Sequence, residues 1–361
     1  MFRHLFLPLR LGDLDLSNRI VMAPMTRNRA DADGSPSALM AQHYAARADA
    51  GLIVAEGSWP SAAGQAYSRQ PGIVTPAHIA GWRRVTDAVH ARGGRIVLQL
   101  MHAGRIGSRH IKPAGVETVA PSAIRAAGEV WTDAAGMQPH DAPRALSSEE
   151  VRAVVREHVQ AALNAREAGF DGVELHGTSG YLPMQFLASG SNRRDDAYGG
   201  SVANRARFAV ECLQGMAEAI GAGRVGLRLR PGNPYNDIQD ADPRASHAEL
   251  MRQAAALGLA YLHVMRAPTE LGFDAFALAR EHFGARLILN DGFDGASAEA
   301  ALEHGDGAAV SFARPFIGNP DLVRRLRERL PLAGFDRATL YTPGAAGYTE
   351  LAERPAQVAR A

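Results

Sequence analysis

Short apolar runs rich in β-branched residues recur eight times along the chain, at residues 20–23, 52–55, 95–101, 172–176, 225–230, 261–265, 287–290 and 308–312. They lack strict alternation of apolar and polar positions, the pattern of strands buried on both faces in a helix-covered parallel sheet. The segments between them carry helical periodicity. Residues 76–92 open on Pro76 and stop before Gly93; residues 148–168 are capped by Ser147 or Ser148 and stop at Gly169. Eight such alternations without a long polar linker predict an α/β chain folded as a (β/α)8 barrel, one domain over residues 1–361. An open doubly wound sheet is the alternative that counting alone leaves standing. Two connectors interrupt the rhythm: residues 108–145, rich in Gly, Pro, Ala and Ser, and residues 231–246, rich in Asp, Asn and Pro. Both follow strands, so in a barrel they belong to the C-terminal mouth, where active sites are built.

Composition narrows the class. Of the 361 residues 46% are hydrophobic, enough for a large core, and 39 basic residues face 38 acidic ones for a net charge of +1. The basic residues are scattered, which argues against nucleic acid or an anionic membrane as partner and points to small molecules. The one cysteine, Cys212, excludes an intrachain disulfide and a cysteine metal site. Residues 1–10 are too short and interrupted for a secretory or membrane segment, so the expectation is a cytoplasmic protein, monomeric or weakly homo-oligomeric. His102 and His110 are isolated and no zincin spacing occurs, so no metal is expected. Neither a G-x-G-x-x-G turn nor a Walker lysine loop is present, so a nicotinamide would visit rather than reside.

The chemistry concentrates where the barrel reading puts the strand ends. These positions carry Ala23-Pro24-Met25-Thr26, Glu56-Gly57, Gln99 and His102, the run His176 to Tyr181, Arg228, Asn290-Asp291-Gly292 and Ala313-Arg314. Asn290, Gly292, Ala313 and Arg314 together suit a phosphate cup after strands seven and eight; taken singly, they read as an ordinary turn and a surface cation. If the chain turns helically beyond the fourth strand, His176 and Ser179 share a face and can donate to one oxygen. Tyr181, protonated at neutral pH, suits a general acid, although one His and one Tyr at a strand end also read as core or rim residues. His263 reads as a satisfied core histidine and the arginines at 324–329 as a solvated helix face.

Residues 191–208, S-N-R-R-D-D-A-Y-G-G-S-V-A-N-R-A-R-F, resemble the N-x-R-x-D-x-Y-G-G-S-x-x-N-R-x-R signature of the Old Yellow Enzyme family. The resemblance extends over residues 8–26, 44–57, 99–105, 168–186, 319–322 and 347–349, and within the family it points to the bacterial branch of N-ethylmaleimide and nitrate-ester reductases. It implies FMN bound at the barrel mouth, NADPH or NADH as transient hydride donor, and reduction of an activated alkene such as an enone, nitroalkene or maleimide. By the same resemblance Thr26 hydrogen-bonds the flavin and tunes it, and Gln99 meets the pyrimidine edge. Arg228 stabilises the reduced flavin's anion, and Ala23, Pro24, Met25 and Gly57 give backbone contacts. Gly292, Ala313 and Arg314 match phosphate positions, and Tyr67 a substrate contact. His176 would polarise the substrate and Tyr181 protonate its α-carbon.

Four positions depart from the family pattern. Ser179 stands in place of His or Asn as the second donor, Met101 in place of a Trp, Asp291 in place of a Gly in the phosphate loop, and Ala203 in place of a Glu. Ser179 is expected to weaken carbonyl activation, Met101 to widen the pocket, and Asp291 to turn away from the phosphate; the Ala203 exchange has no derivable consequence. Other readings are a desaturase or isomerase on the same flavin fold, a flavin-binding module without efficient reductase activity, and a non-flavin barrel aldolase or isomerase. The last needs a metal or a Schiff-base lysine, and Lys112, the one lysine, lies in a long connector.

Overall fold

The structure, a computed structural model, describes residues 2–351. Eight parallel strands close into a barrel: β1 (Ile20–Met22), β2 (Leu52–Ser58), β3 (Ile96–Leu100), β4 (Gly172–His176), β5 (Val225–Leu229), β6 (Tyr261–Met265), β7 (Leu287–Asn290) and β8 (Ala309–Phe312). Neighbours in sequence are neighbours in the barrel, and β8 returns to pair with β1 through Val310 and Ile20. Closure excludes the open-sheet alternative and leaves no free edge among the eight.

The strands lie where the apolar runs predict. Helix starts follow their caps. Thr75 closes a capping box on helix Pro76–His90 and Ser147 does the same on helix Ser148–Glu167 through Glu150, which decides between the two candidate serines. The signature motif turns out to be scaffold. Asn192 donates its amide to the carbonyls of Phe186 and Tyr198 (2.7 and 2.8 Å), and Ser201 caps helix Val202–Ile220. Arg205 and Arg207 bind the carbonyls of Leu187 and Ala197 (both 2.8 Å). The motif therefore fixes the path after β4 and touches no chemistry itself.

A hairpin of Leu9–Leu11 and Leu14–Leu16 precedes the barrel. Its Leu11, Leu14 and Leu16 pack with Val21, Val54, Val97, Tyr261, Ile288 and Ala309, which come from six different strands. Side chains from six strands meet only inside the barrel, so the hairpin plugs its N-terminal end. Strand periodicity then dictates the next layer, since every second residue faces the lumen. Two positions further on stand Gln99, His263, Asn290 and Ser311, and in register with them Glu174 and Arg228. The lumen thus changes from apolar to polar toward the mouth.

The long connectors are more ordered than their composition suggests. Within residues 108–145 an antiparallel hairpin joins Glu129–Thr132 to Gly136–Pro139, and Val119–Ala120 pairs with Arg144–Ala145. The second connector is shortened by helix Pro243–Ala255, capped by Asp242. The arginines of the 324–329 run are partly engaged: Arg324 and Arg325 pair with Asp321, and Arg327 and Arg329 lie over the rings of Phe6 and Phe2.

Candidate active site

A cavity of about 730 Å³ opens at the C-terminal mouth. Met25, Thr26, Tyr67, Tyr181, Ala313 and Arg314 line it, from the loops after β1, β2, β4 and β8. The hairpin of the first long connector contributes Trp131 and Met137 to its rim, and the second contributes Tyr235 and Asn236.

Below it, the polar layer forms one hydrogen-bonded network. Gln99 Nε2 donates to Glu174 Oε1 (2.8 Å), His263 Nδ1 meets Glu174 Oε2 (2.9 Å), and His263 Nε2 meets Ser311 Oγ (2.7 Å). Arg228 donates to Asn290 Oδ1 (2.9 Å), while the Asn290 amide donates to the Ser311 carbonyl (3.1 Å). Both ends of the Asn290 side chain are engaged, so the side chain steadies Arg228 and leaves only the backbone of Asn290 to a phosphate cup. His263 is satisfied on both nitrogens, as the sequence suggests. Glu174 was not singled out from sequence, although it stands two residues before His176 inside a buried strand, a position where a carboxylate needs a reason.

At the end of β4 stands His176, 8% exposed, its Nδ1 without a partner among the described residues. Burial and the neighbouring Arg228 lower its pKa to about 3, so it is neutral at physiological pH. Its ring meets that of Tyr181 edge-on at 4.9 Å. The Tyr181 hydroxyl lies 2.8 Å from that of Tyr67. Burial, then the second tyrosine, raise the Tyr181 pKa well above its ordinary value, while burial pushes Tyr67 up to about 12. Both are protonated acids.

The backbone between His176 and Tyr181 is a turn, not a helix, and helix Leu182–Leu187 begins only afterwards. The shared helical face expected for His176 and Ser179 is therefore corrected. Ser179 sits in the left-handed region at φ 58°, a conformation that suits Asn or Gly better than Ser. Met101, expected on the pocket wall, is instead 1% exposed and packed inward. A Cβ on Gly57 would lie 2.7 Å from its sulfur, so Met101 fills the space that Gly57 leaves. Glu56 and Gly57 fall where the β2–β3 pairing shifts register between Ala55 and Ser58, a bulge of the kind that re-aims chain beside active sites.

Glu56, named on sequence only as a strand-end residue, has a definite role. It accepts from the Arg27 backbone N–H (3.1 Å) and the Tyr44 hydroxyl (3.2 Å), so it pins the loop that carries Met25 and Thr26. Burial raises its pKa to about 7. Arg27 and Arg29 in turn clamp the C-terminal segment. Arg27 donates to the carbonyls of Leu340 (2.9 Å) and Gly347 (2.7 Å), and Arg29 to those of Thr339 (2.7 Å) and Ala346 (3.2 Å). Tyr348 stacks on His43 at 3.9 Å. This brings Phe335, Leu340 and Tyr341 to the cavity as a side wall.

The residues present fit FMN. The Arg314 guanidinium is exposed at the cavity and has no partner among the described residues. Gly292, at φ 75°, is uncrowded, an added Cβ meeting nothing nearer than Arg266 Nε at 3.8 Å. Asp291 directs its carboxylate to Arg230 (3.6 Å). An anionic phosphate thus has a free arginine and an accessible backbone turn, and the orphaned His176 Nδ1 and buried Arg228 offer further polar groups.

Comparison with known proteins decides the family. Residues 4–333 match the NADH:flavin oxidoreductase / NADH oxidase family. The chain belongs to that family. It is an FMN-dependent NAD(P)H oxidoreductase. A probable flavin mononucleotide-dependent alkene reductase of Leishmania infantum is 42% identical over 95% of both chains. The solved morphinone reductase in complex with tetrahydroNAD is 42% identical, with TM-score 0.92 over 96% of this chain and 97% of that one. An Old Yellow Enzyme homologue from Zymomonas mobilis is 37% identical, with TM-score 0.93 over 96% and 99%. The Old Yellow Enzyme resemblance and the barrel thus hold over nearly the whole chain. Among the described residues no helix is long and apolar enough to cross a membrane, and no group of three or more His, Cys, Asp or Glu gathers as metal ligands do.

Proposed function

We propose that the enzyme reduces the C=C bond of a small electron-poor alkene, delivering hydride to the β-carbon and a proton to the α-carbon while NAD(P)H is oxidised to NAD(P)+. FMN, when bound, supplies the hydride carrier. The chain supplies the rest. Arg314, with the Gly292 turn and the Ala313 backbone, holds the phosphate; Ala23, Pro24, Met25 and Gly57 offer backbone to the ring, and Thr26, whose hydroxyl has no partner among the described residues, offers a donor there. Gln99 and Arg228 hold the polar edge from the lumen.

His176, kept neutral, donates a hydrogen bond to the substrate's carbonyl or nitro oxygen as negative charge develops there. Ser179 adds little to this, since its side chain is short and uncharged. Tyr181 gives its proton to the α-carbon, and Tyr67, bonded to it, steadies the phenolate that results. The observation that carries the reading is this protonated, buried tyrosine pair beside a neutral histidine at one cavity. NAD(P)H-driven turnover of 2-cyclohexenone in deuterated water tests it. Cyclohexanone carrying solvent deuterium on its α-carbon is expected; return of unreduced enone, with nitroalkenes and maleimides also untouched, overturns it.

A further inference from the structure

Arg228 carries a buried positive charge, and among the described residues no carboxylate pairs with it directly. Its Nη1 lies 3.2 and 3.1 Å from the two ring nitrogens of His263. Both in-plane directions of that ring are already taken, Nδ1 by Glu174 and Nε2 by Ser311, so the guanidinium rests against the ring and not in line with either nitrogen. At the edge of the ring, on Nδ1, stands the Glu174 carboxylate, wholly buried, held by Gln99 and His263. A buried guanidinium and a buried carboxylate thus share one histidine as spacer. Burial favours loss of charge by His263, whose pKa falls to about 4, whereas His263, Arg228 and Gln99 outweigh burial and keep Glu174 ionised. The trio is therefore one cation, one neutral ring and one anion.

We propose that Glu174 is a positioning residue that balances Arg228 through His263, so that the lumen presents a nearly neutral floor to the flavin and holds its reduction potential below the value Arg228 alone would set. The inference rests on the FMN reading. An unbalanced cation beside the flavin's anionic edge stabilises the reduced form, and a counter-charge behind the cation withdraws part of that stabilisation. The device keeps the bound flavin a strong hydride donor toward poorly activated alkenes, which suits a site whose second carbonyl donor is only Ser179.

The test is the potential of the FMN-loaded protein, read by equilibration with a reference dye. Glu174→Gln, close to isosteric, raises it by at least a tenfold change in the reduced-to-oxidised ratio at fixed potential, about 30 mV for two electrons. Glu174→Asp, which keeps the charge, stays within threefold of wild type. His263→Leu strips the donor from a carboxylate that stays buried, drives it toward the neutral acid and shifts the potential upward as well, so the test survives if Glu174→Gln fails to fold. An unchanged or lowered potential in FMN-loaded Glu174→Gln or His263→Leu overturns the proposal, as does loss of FMN binding by both. A wild-type protein that binds no FMN sinks the functional reading itself, and the two failures are told apart by the wild-type spectrum.

Discussion

The hydroxyls of Tyr67 and Tyr181 lie 2.8 Å apart, brought together from the loops after β2 and β4. One of them must donate to the other, and whichever loses its proton is stabilised by its partner. Tyr181→Phe removes the acid and should lower turnover of 2-cyclohexenone by roughly 10²–10⁴-fold, while anaerobic bleaching of the flavin by NADPH keeps its rate. Tyr67→Phe leaves the acid but not its partner, and the same half-reaction should slow by about tenfold. Stopped-flow measurement of the two half-reactions separates these outcomes.

Ser179 supports a second prediction. Its φ of 58° is a strained choice for serine and an accepted one for asparagine, whose amide also reaches further. Ser179→Asn should therefore raise kcat/KM for simple enones by about tenfold or more and add ~0.5–1 kcal/mol of stability. Steady-state kinetics and thermal unfolding of the one variant check both effects.

Asp291 holds φ 85° in a turn where glycine is the unstrained residue, and its carboxylate adds a negative charge near the phosphate site. Asp291→Gly should tighten FMN about fivefold, ~1 kcal/mol. Titration of the apoprotein with FMN reads this directly; weaker binding would show that the Asp291–Arg230 pair helps to hold the turn.

Glu56 gives the pH dependence. Burial raises its folded-state pKa from 4.5 to about 7. Between those values the folded protein holds a proton that the unfolded chain has released. Stability contributed by the neutral acid is therefore complete below the unfolded pKa and lost as pH rises toward 7, by at most ~3 kcal/mol. Glu56→Gln should flatten this part of the Tm-against-pH curve. An identical slope in the variant would assign the effect elsewhere.

The barrel was legible because strands buried on two faces must be continuously apolar, and because Pro76, Ser147, Gly93 and Gly169 mark helix ends by local chemistry. That His176 and Tyr181 stand together was legible from their place at a strand end, and their rings meet at 4.9 Å. The direction of the Asn290 side chain was illegible because at a strand's last residue it depends on register: its amide turns to Arg228 and Ser311. Glu174 stayed hidden because one carboxylate in an apolar run announces a partner without naming it. The clamp of Arg27 and Arg29 on the C-terminal segment was illegible for a different reason. Its acceptors are the backbone carbonyls of Thr339, Leu340, Ala346 and Gly347, which every residue possesses and no sequence pattern singles out.

The central claim is that this chain is a flavin reductase of electron-poor alkenes, and an anaerobic titration followed by absorbance between about 300 and 550 nm tests it most directly. The account predicts flavin bands that bleach on addition of NADPH or NADH and return when 2-cyclohexenone is added. Bands that bleach and stay bleached through enone, nitroalkene and maleimide would contradict it.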